Sequence, residues 1–206
     1  FKLSIPYYFM NISGVIQHSF QIVILGIFFN SQIVGSVSTL KTLFYFMPCR
    51  VWGIFFNAIS FEFIKLYSEK KFILLKKMYL NYLKLGILFL FMFFFISIIT
   101  GEYIYNFWLN SSYNVDYIIF VLIIFDVIFF IATQSVTSVS RSLNKFFEVS
   151  FLQIMIHLII ILISCLFFYF QQSYYLIFIF NVVGSILIMF YSIYFTKKFM
   201  KKYLII

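Results

Sequence analysis

Hydrophobic positions follow one another along this chain in long runs, and polar residues are set into these runs at wide spacing. A helix needs about 20 mostly apolar residues to cross ~30 Å of hydrocarbon. Windows of that length predict six spans, at about residues 4–29, 36–62, 82–100, 117–140, 148–170 and 174–195. The predicted fold class is therefore all-α: an integral membrane bundle of six transmembrane helices, forming a single domain over residues 1–206.

The composition agrees with a membrane protein. Hydrophobic residues make up 64% of the chain, aromatic residues 25% and charged residues 10%, which is unlike an ordinary soluble domain. The apolar runs leave no segment for a soluble catalytic domain. An excess of 15 Lys and Arg over 6 Asp and Glu would suggest nucleic acid in a soluble protein, but here its distribution reports topology, and we expect no nucleic-acid partner.

Lysines and arginines flank alternate connections between the predicted spans and are absent from residues 30–35, 101–116 and 171–173. The cations concerned are Lys2, Lys65, Lys70, Lys71, Lys76, Lys77, Lys84, Arg141, Lys145, Lys197, Lys198, Lys201 and Lys202. The positive-inside rule then predicts that both termini face the cytoplasm. Residues 63–81 alternate lysine pairs with apolar residues, which predicts an interfacial amphipathic helix.

Polar residues in four spans recur at spacings that return to one helix face. They are Asn11, Gly14, His18 and Gln21 in the first span; Asp126, Thr133, Thr137, Ser140 and Asn144 in the fourth; Ser150, Gln153, His157 and Ser164 in the fifth; and Asn181, Ser185 and Ser192 in the sixth. We expect these faces to contact other helices. The third span is nearly uniform in Leu, Phe and Ile and is expected to face lipid.

Four ionisable residues are predicted near the middles of their spans. Arg50 lies about 21 Å into the second span, close to the bilayer centre, and His18, Asp126 and His157 lie at similar depth. A charge there costs at least ~2.5 to 3.5 kcal/mol, so a partner or a wet cavity is expected. Two interpretations stay open. Either Arg50, with Lys41 nearer the outer surface, meets an anionic substrate in a cavity, or Arg50 pairs with Asp126 and only joins helices.

The roles of Lys41, the two histidines and Asp126 also have alternative interpretations. Lys41 and Arg50 point in opposite directions on an ideal helix, so they share a cavity only if Pro48 bends the span. In the alternative, the Lys41 side chain only extends toward the membrane–water interface and lines no cavity. His18 and His157 have two interpretations, interhelical hydrogen bonds or proton coupling, and a coupling role also applies to Asp126.

Motifs of several enzyme classes are missing from the sequence. It has no glycine-rich phosphate loop followed by Lys and Ser or Thr, no His-Glu-x-x-His and no pair of closely spaced cysteines. We therefore expect no ATP hydrolysis, no metal site, no cofactor and no enzymatic activity.

Several segments, taken as a series, resemble the C-terminal half of the Wzx-type polysaccharide flippases, which belong to the superfamily of the MATE exporters. The segments are residues 3–6, 24–35, Ser38-Thr-Leu-Lys-Thr-Leu43, Asn57, residues 62–67, Trp108-Leu-Asn110, Asp116 and Ser140-Arg-Ser-Leu-Asn-Lys145. The chain departs from the family at Lys41, where Arg is more usual, and at Phe61, where Pro usually precedes the glutamate.

The resemblance implies half of a twelve-helix transporter, so that a first half is missing or a second polypeptide supplies it. It implies transfer of an undecaprenyl-pyrophosphate-linked oligosaccharide across the bacterial cytoplasmic membrane, for surface polysaccharide such as O-antigen. Arg50, Lys41 and Asn57 are then the candidate substrate-binding residues, and the partners are the lipid-linked oligosaccharide and membrane lipids.

Three rival functions remain. A MATE-like drug exporter usually needs carboxylates for cationic drugs, whereas the cavity candidates here are more cationic than acidic. An accessory or structural membrane protein would lose folding and activity together when Arg50 or Asp126 is replaced. A membrane glycosyltransferase or polymerase would need an acidic site or a large outer loop, which this sequence does not show.

Overall fold

The computed structural model describes residues 5–108, 116–171 and 174–203. The described residues form α1 (Ile5–Phe28), α2 (Ser31–Lys41), a π-helical segment (Thr42–Phe46), α3 (Met47–Ser68), α4 (Phe72–Trp108), α5 (Tyr117–Val136), α6 (Ser138–Ser142), α7 (Phe147–Gln171) and α8 (Tyr175–Tyr203). This part of the chain contains helices and turns and no strand. Expectations that concern Lys2, residues 109–115 and residues 172–173 lie outside the described residues.

Five helices are long and apolar enough to cross a membrane: α1, α4, α5, α7 and α8. They confirm a helical, multi-pass membrane protein; α4 and α7 contain the predicted third and fifth spans, and α1, α5 and α8 cover most of the first, fourth and sixth. The predicted second span corresponds to α2, the π-helical segment and α3, which are not among the five. Arg50, Asn57 and Glu62 lower the apolarity of α3, and the count of six spans stays a prediction.

The prediction of a separate interfacial helix at residues 63–81 is wrong. α3 continues to Ser68, a short turn follows, and α4 begins at Phe72 and runs without a break to Trp108. Lys70 makes the turn with a φ of 56°, and Lys71 pairs with Glu69 at 2.7 Å. The hydrogen bond from Lys71 lowers the pKa of the Glu69 carboxyl. The lysine pairs therefore mark the ends of two long helices, not a helix of their own.

The first connection is also shorter than the predicted residues 30–35. The Asn30 side chain accepts a hydrogen bond from the backbone N–H of Ile33 at 3.0 Å. Such a cap supplies a partner to a free N–H of the first helical turn. α2 therefore begins at Ser31, five residues before the predicted start of the second span.

α5 is the central helix of the bundle. It packs along α8 and against α4, and it also contacts α2, the π-helical segment, α3 and α6. Half of its apolar stretch is buried, 50%, against 11% for α4. This low burial agrees with the prediction that the third span faces lipid, because the third span lies within α4.

Contacts between helices show which ends lie together. At one end of α5, Asp116 accepts a hydrogen bond from Tyr175 at 2.8 Å. At the other, the backbone oxygen of Val136 accepts one from Thr196 at 3.2 Å. α5 and α8 are therefore parallel. In the same way Tyr7 packs on Phe146, at 5.0 Å between ring centroids, where α1 and α7 run side by side.

The lysine-rich connections gather at one end of the bundle. Lys145 donates a hydrogen bond to the Tyr67 hydroxyl at 3.1 Å, and its ammonium lies 4.2 Å from the Tyr203 ring centroid. This brings together the turn after α3, the turn after α6 and the last residues of α8. We call this the basic end, and the opposite one the Asp116 end.

Candidate functional site

Buried polar residues of four helices meet inside the bundle. We call the five residues that form this group the midplane cluster: Gln17 and Gln21 of α1, Lys41 of α2, Asp126 of α5 and Ser185 of α8. All five are buried. Since polar side chains inside a membrane bundle need partners, their mutual contacts decide what the group can do.

Asp126 joins three helices. Its carboxylate accepts hydrogen bonds from the Gln17 side-chain nitrogen at 3.1 and 3.3 Å and from the Ser185 hydroxyl at 2.5 Å. The residue is 4% exposed. An ionised carboxylate only accepts hydrogen bonds, so these two neutral donors suit it. Asp126 therefore fastens α5 to α1 and α8.

Lys41 supplies the opposite charge. It is 1% exposed and donates hydrogen bonds to the side-chain oxygen of Gln21 and, at 3.5 Å, to the backbone oxygen of His18. It also interacts electrostatically with Asp126, although the two do not form a direct ion pair. The cluster thus contains one basic and one acidic side chain, each hydrogen-bonded to a glutamine of α1.

Lys41, Asp126 and Ser185 of the cluster lie at one level along the bundle. Measured from the Asp116 end, Lys41 lies ten residues after Ser31 and Ser185 ten residues after Tyr175, while Asp126 lies nine after Tyr117. At 1.5 Å per residue these positions are all about 14 to 15 Å from that end, half of a ~30 Å hydrocarbon layer. Lys41 therefore lies near the middle of a hydrocarbon layer that begins at the Asp116 end, whereas the sequence analysis expected it nearer the outer surface; its depth in the membrane stays a prediction.

Arg50 has a different environment from the one expected. It is exposed on α3 and forms no ion pair with Asp126. It follows Lys41 by nine residues, so it lies about 14 Å closer to the basic end. Asn57, two turns farther along α3, is exposed as well. The interpretation of Arg50 as a partner of Asp126 is therefore not supported by the structure.

A bend at Pro48 was the condition under which Lys41 and Arg50 could share a cavity, and the structure has the π-helical segment just before Pro48. The Met47 backbone N–H donates to the Thr42 oxygen five residues back, and Pro48 follows at the start of α3. Proline has no N–H for an interior helical bond, so a wider turn just before it is physically reasonable. This interruption does not bring Lys41 and Arg50 together, because the first is buried and the second is exposed.

Both histidines are buried in contact with neighbouring helices. The Nδ1 atom of His157 on α7 hydrogen-bonds the Ser13 hydroxyl on α1 at 2.9 Å. The His18 ring packs edge-on against the Tyr45 ring, at 4.0 Å between centroids, and its Nδ1 has no hydrogen-bond partner among the described residues. This geometry favours packing and helix pairing for both residues; proton coupling stays untested.

The buried face of α1 differs by about one residue from the predicted one. Asn11 is exposed and Gly14 is half-buried, whereas Ser13 and Gln17 are buried. Ser13, Gln17 and Gln21 follow one another at intervals of four, the spacing of a helix face. Sequence reasoning missed Gln17, although its interval to Gln21 was a signal for it.

Most members of the polar faces predicted for the other three helices are buried, but Asn144 is half-buried and, with Thr137 and Ser140, lies beyond the end of α5 at Val136. Their buried members are Asp126, Thr133, Thr137, Ser140, Ser150, Gln153, His157, Ser164, Asn181, Ser185 and Ser192. Several hydroxyls donate to a backbone oxygen four residues earlier, as Ser135 does to Ile131 and Thr137 to Thr133, both at 2.8 Å. Such local bonds satisfy these two hydroxyls, whereas the buried hydroxyls of Thr133, Ser164 and Ser192 have no hydrogen-bond partner among the described residues.

Arg141 is a buried residue that the sequence suggested only as a cation of a connection. It is 9% exposed, and its guanidinium lies 4.3 Å from the Phe56 ring centroid. Its backbone oxygen accepts a hydrogen bond from the Tyr7 hydroxyl at 2.8 Å. Arg141 thus ties α6 to α1 and α3. Nothing in its sequence context distinguishes it from the exposed Lys145.

Comparison with protein-family models, curated proteins and solved structures finds no match for this chain. Within the described residues, no group of three His, Cys, Asp or Glu side chains is arranged to hold a metal ion. The geometry of the midplane cluster and of the exposed face of α3 therefore carries the functional argument.

Proposed function

We propose that the chain is one half of a membrane transporter that moves undecaprenyl-pyrophosphate-linked oligosaccharide across the bacterial cytoplasmic membrane. The midplane cluster is the observation that carries this proposal. Burying Lys41 and Asp126 costs free energy that apolar residues of similar size would not cost. Ionisable residues at this depth typically mark transport pathways.

The resemblance to flippases and the exposed face of α3 support the substrate class. Arg50 and Asn57 lie on this face between the midplane cluster and the basic end. Arg50 lies about 28 to 29 Å from the Asp116 end, near the far boundary of a ~30 Å hydrocarbon layer, and the arginine fork matches phosphate oxygens. If the basic end faces the cytoplasm, as the positive-inside rule predicts, Arg50 lies at the level of a pyrophosphate in the inner leaflet.

The proposed architecture has six crossings in this chain. From Ser31 to Ser68 the helix runs about 57 Å at 1.5 Å per residue. Gln21 contacts Lys41 near its beginning and Tyr67 meets Lys145 near its end, so these pieces extend along the bundle as the five apolar helices do. We infer a second six-helix bundle opposite the exposed face of α3, and both termini of this chain in the cytoplasm.

Two alternatives predict different results. A MATE-like exporter of cationic drugs needs an accessible carboxylate at middle depth, but Asp126 is buried and already accepts hydrogen bonds from Gln17 and Ser185. An accessory or structural membrane protein needs no substrate contact, so Arg50 would then affect only assembly. The exposed position of Arg50 argues against a role in packing this bundle.

The test uses a bacterial strain that lacks its own flippase and expresses the chain with the first half that the resemblance implies. The leaflet distribution of lipid-linked oligosaccharide is measured for wild type, Arg50→Ala and the matched control Lys84→Ala, another exposed cation, at equal membrane levels. We expect wild type and the control to deliver oligosaccharide outward. Arg50→Ala should leave it on the inner leaflet.

Two results would contradict the proposal. If wild type moves no oligosaccharide although the protein is present, the flippase function is wrong, and drug export or an accessory role is tested next. If Arg50→Ala transports as well as wild type, Arg50 does not bind the substrate.

A further inference from the structure

A groove of about 510 Å³ lies between α4 and α8 at the basic end. Its walls are mainly apolar and include Leu80 and Leu83 of α4 and Ile193 and Met200 of α8. The groove opens on the outer surface of the bundle, because Leu80 is exposed and Ile193 is half-buried. A lipid chain therefore has access to it from the side.

Three lysines also line this groove: Lys76 of α4, and Lys197 and Lys201 of α8. The two α8 lysines are four residues apart and so lie on one helix face. All three are exposed, and the ion pair in the described part of the chain, Lys71 with Glu69, uses none of them. No acidic residue lines the groove, so its three positive charges are not compensated.

The other polar groups of the groove already have partners. The Tyr79 hydroxyl donates to the backbone oxygen of Val136 at 3.0 Å, and the Thr196 hydroxyl donates to the same oxygen at 3.2 Å. The lysines are therefore the polar groups left for a ligand. A ligand that fits must be anionic at one end and apolar along the rest.

We propose that this groove binds one anionic phospholipid, with its phosphate among Lys76, Lys197 and Lys201 and an acyl chain along the α4 and α8 walls. Basic pockets between membrane helices on the cytoplasmic side recognise anionic headgroups in this way. A free phosphate ion would leave the apolar walls uncovered. The proposal holds whichever substrate the protein transports.

An adjacent side of α8 provides a control. There, Lys198 and Lys202 line a second groove, of about 340 Å³, together with Lys145 and the acidic Glu148. Lys202 lies over the Tyr203 ring, at 5.2 Å from its centroid, and Glu148 partly compensates the positive charge. The pair Lys198 and Lys202 thus matches Lys197 and Lys201 in charge, helix and depth, but faces a different groove.

Native mass spectrometry of the detergent-solubilised chain tests the proposal. The chain is titrated with phosphatidylglycerol, and with phosphatidylcholine as the neutral lipid, as wild type, K197Q/K201Q and K198Q/K202Q. Each lysine near an anionic headgroup contributes about fivefold in affinity, so K197Q/K201Q should bind the first phosphatidylglycerol about 25-fold more weakly. K198Q/K202Q should bind it as wild type does, and K197R/K201R should retain binding.

Several outcomes would overturn the proposal. Equal losses in the two glutamine pairs would mean that net charge, not the groove, attracts the lipid. A wild type that binds both lipids equally has no anionic site. Displacement of the lipid by inorganic phosphate at the same concentration would mean that the lysines recognise phosphate alone. Circular dichroism of each variant checks that the helices are intact.

Discussion

The electrostatic coupling of Lys41 and Asp126 gives the sharpest test of the midplane cluster. Lys41→Met removes the cation and keeps a long side chain, and Asp126→Asn removes the anion and keeps the shape of the side chain. Each single substitution leaves the opposite charge buried without compensation. The double variant leaves neither charge, so its stability shows whether the two residues act as a pair.

The structure bounds the size of this coupling. Two unit charges 4 Å apart interact with about 4 kcal/mol at an effective dielectric constant of 20. Lys41 and Asp126 are farther apart than a direct ion pair, so their interaction is weaker than that. Each hydrogen bond lost from Gln17 adds only about 0.6 kcal/mol inside a membrane.

We therefore expect each single variant to lower the free energy of unfolding by about 2 to 3 kcal/mol, at or just below the ~3 to 5 kcal/mol of a broken direct buried pair, because the two groups are not in direct contact. The double variant should lose about 2 to 3 kcal/mol as well, instead of the sum of the two. The difference is a coupling energy of about 2 to 3 kcal/mol. Equilibrium unfolding in mixed micelles with increasing dodecyl sulfate, followed by circular dichroism, measures all four proteins.

The matched control cycle pairs Arg50→Met with Asp126→Asn. Arg50 is exposed and does not contact Asp126, so the coupling energy of this second cycle should be near zero. Additive losses in the Lys41 cycle would refute the electrostatic argument. A larger coupling in the Arg50 cycle would instead restore the interpretation of Arg50 as the partner of Asp126.

Three further predictions use the same unfolding measurement. Asp116→Ala removes the cap of α5, with its bonds of 3.1 and 3.3 Å to backbone N–H groups, and the hydrogen bonds from Tyr174 and Tyr175, and should cost about 1 to 2 kcal/mol. Asp116→Asn keeps an acceptor oxygen and should lose less; equal losses would contradict a hydrogen-bonding role for this side chain. Trp52→Ala removes a ring stacked 5.0 Å from Tyr82. This substitution should cost about 1 to 2 kcal/mol, less than the ~3 to 5 kcal/mol lost in a soluble core, because lipid also solvates apolar surface. A cost above about 2 kcal/mol would argue against access of lipid to the space left by the ring. Phe91 is 62% exposed, so Phe91→Leu should change stability by less than about 0.5 kcal/mol, and a larger loss would indicate a protein partner on α4.

The positions of the apolar helices were predictable because hydrophobic length alone identifies a span. The predicted first, fifth and sixth spans begin within one residue of α1, α7 and α8. The positions at which helices begin or end outside the apolar stretches were less predictable. α4 begins ten residues before the predicted third span, since a helix continues past the membrane wherever its residues are good helix formers, and hydropathy does not register that part.

The depths of Lys41 and Arg50 could not be predicted in the same way. Residues 31–35 are too polar to register as part of a span, yet the Asn30 cap starts the helix there. Beginning at Ser31 instead of Ser36 moves every later residue by about 7.5 Å. With this start, Lys41, and not Arg50, lies at the level of Asp126 along the bundle, and Arg50 lies closer to the basic end.

The rotation of α1 about its own axis was also not predictable from the sequence. Its polar residues occupy Asn11, Ser13, Gln17, His18 and Gln21, and more than one face can be drawn through them at helical spacing. Which face is buried depends on what the neighbouring helices offer. Asp126 accepts from Gln17, and His157 bonds Ser13, so donors and acceptors on α5 and α7 select the face that includes Ser13.

The distribution of polar and apolar contacts also indicates which part of the bundle can move if the chain transports as proposed. α1, α5, α7 and α8 are joined by side-chain hydrogen bonds at Asp126 and His157, whose geometry is directional. α4 meets its neighbours largely through rings, such as Phe89 on Trp52 at 5.3 Å and Phe94 on Phe125 at 6.2 Å. Apolar contacts tolerate small sliding movements better than directional bonds do. We therefore expect α3 and α4, which carry Arg50 and the lipid-facing surface, to shift against a more rigid core formed by the other four long helices.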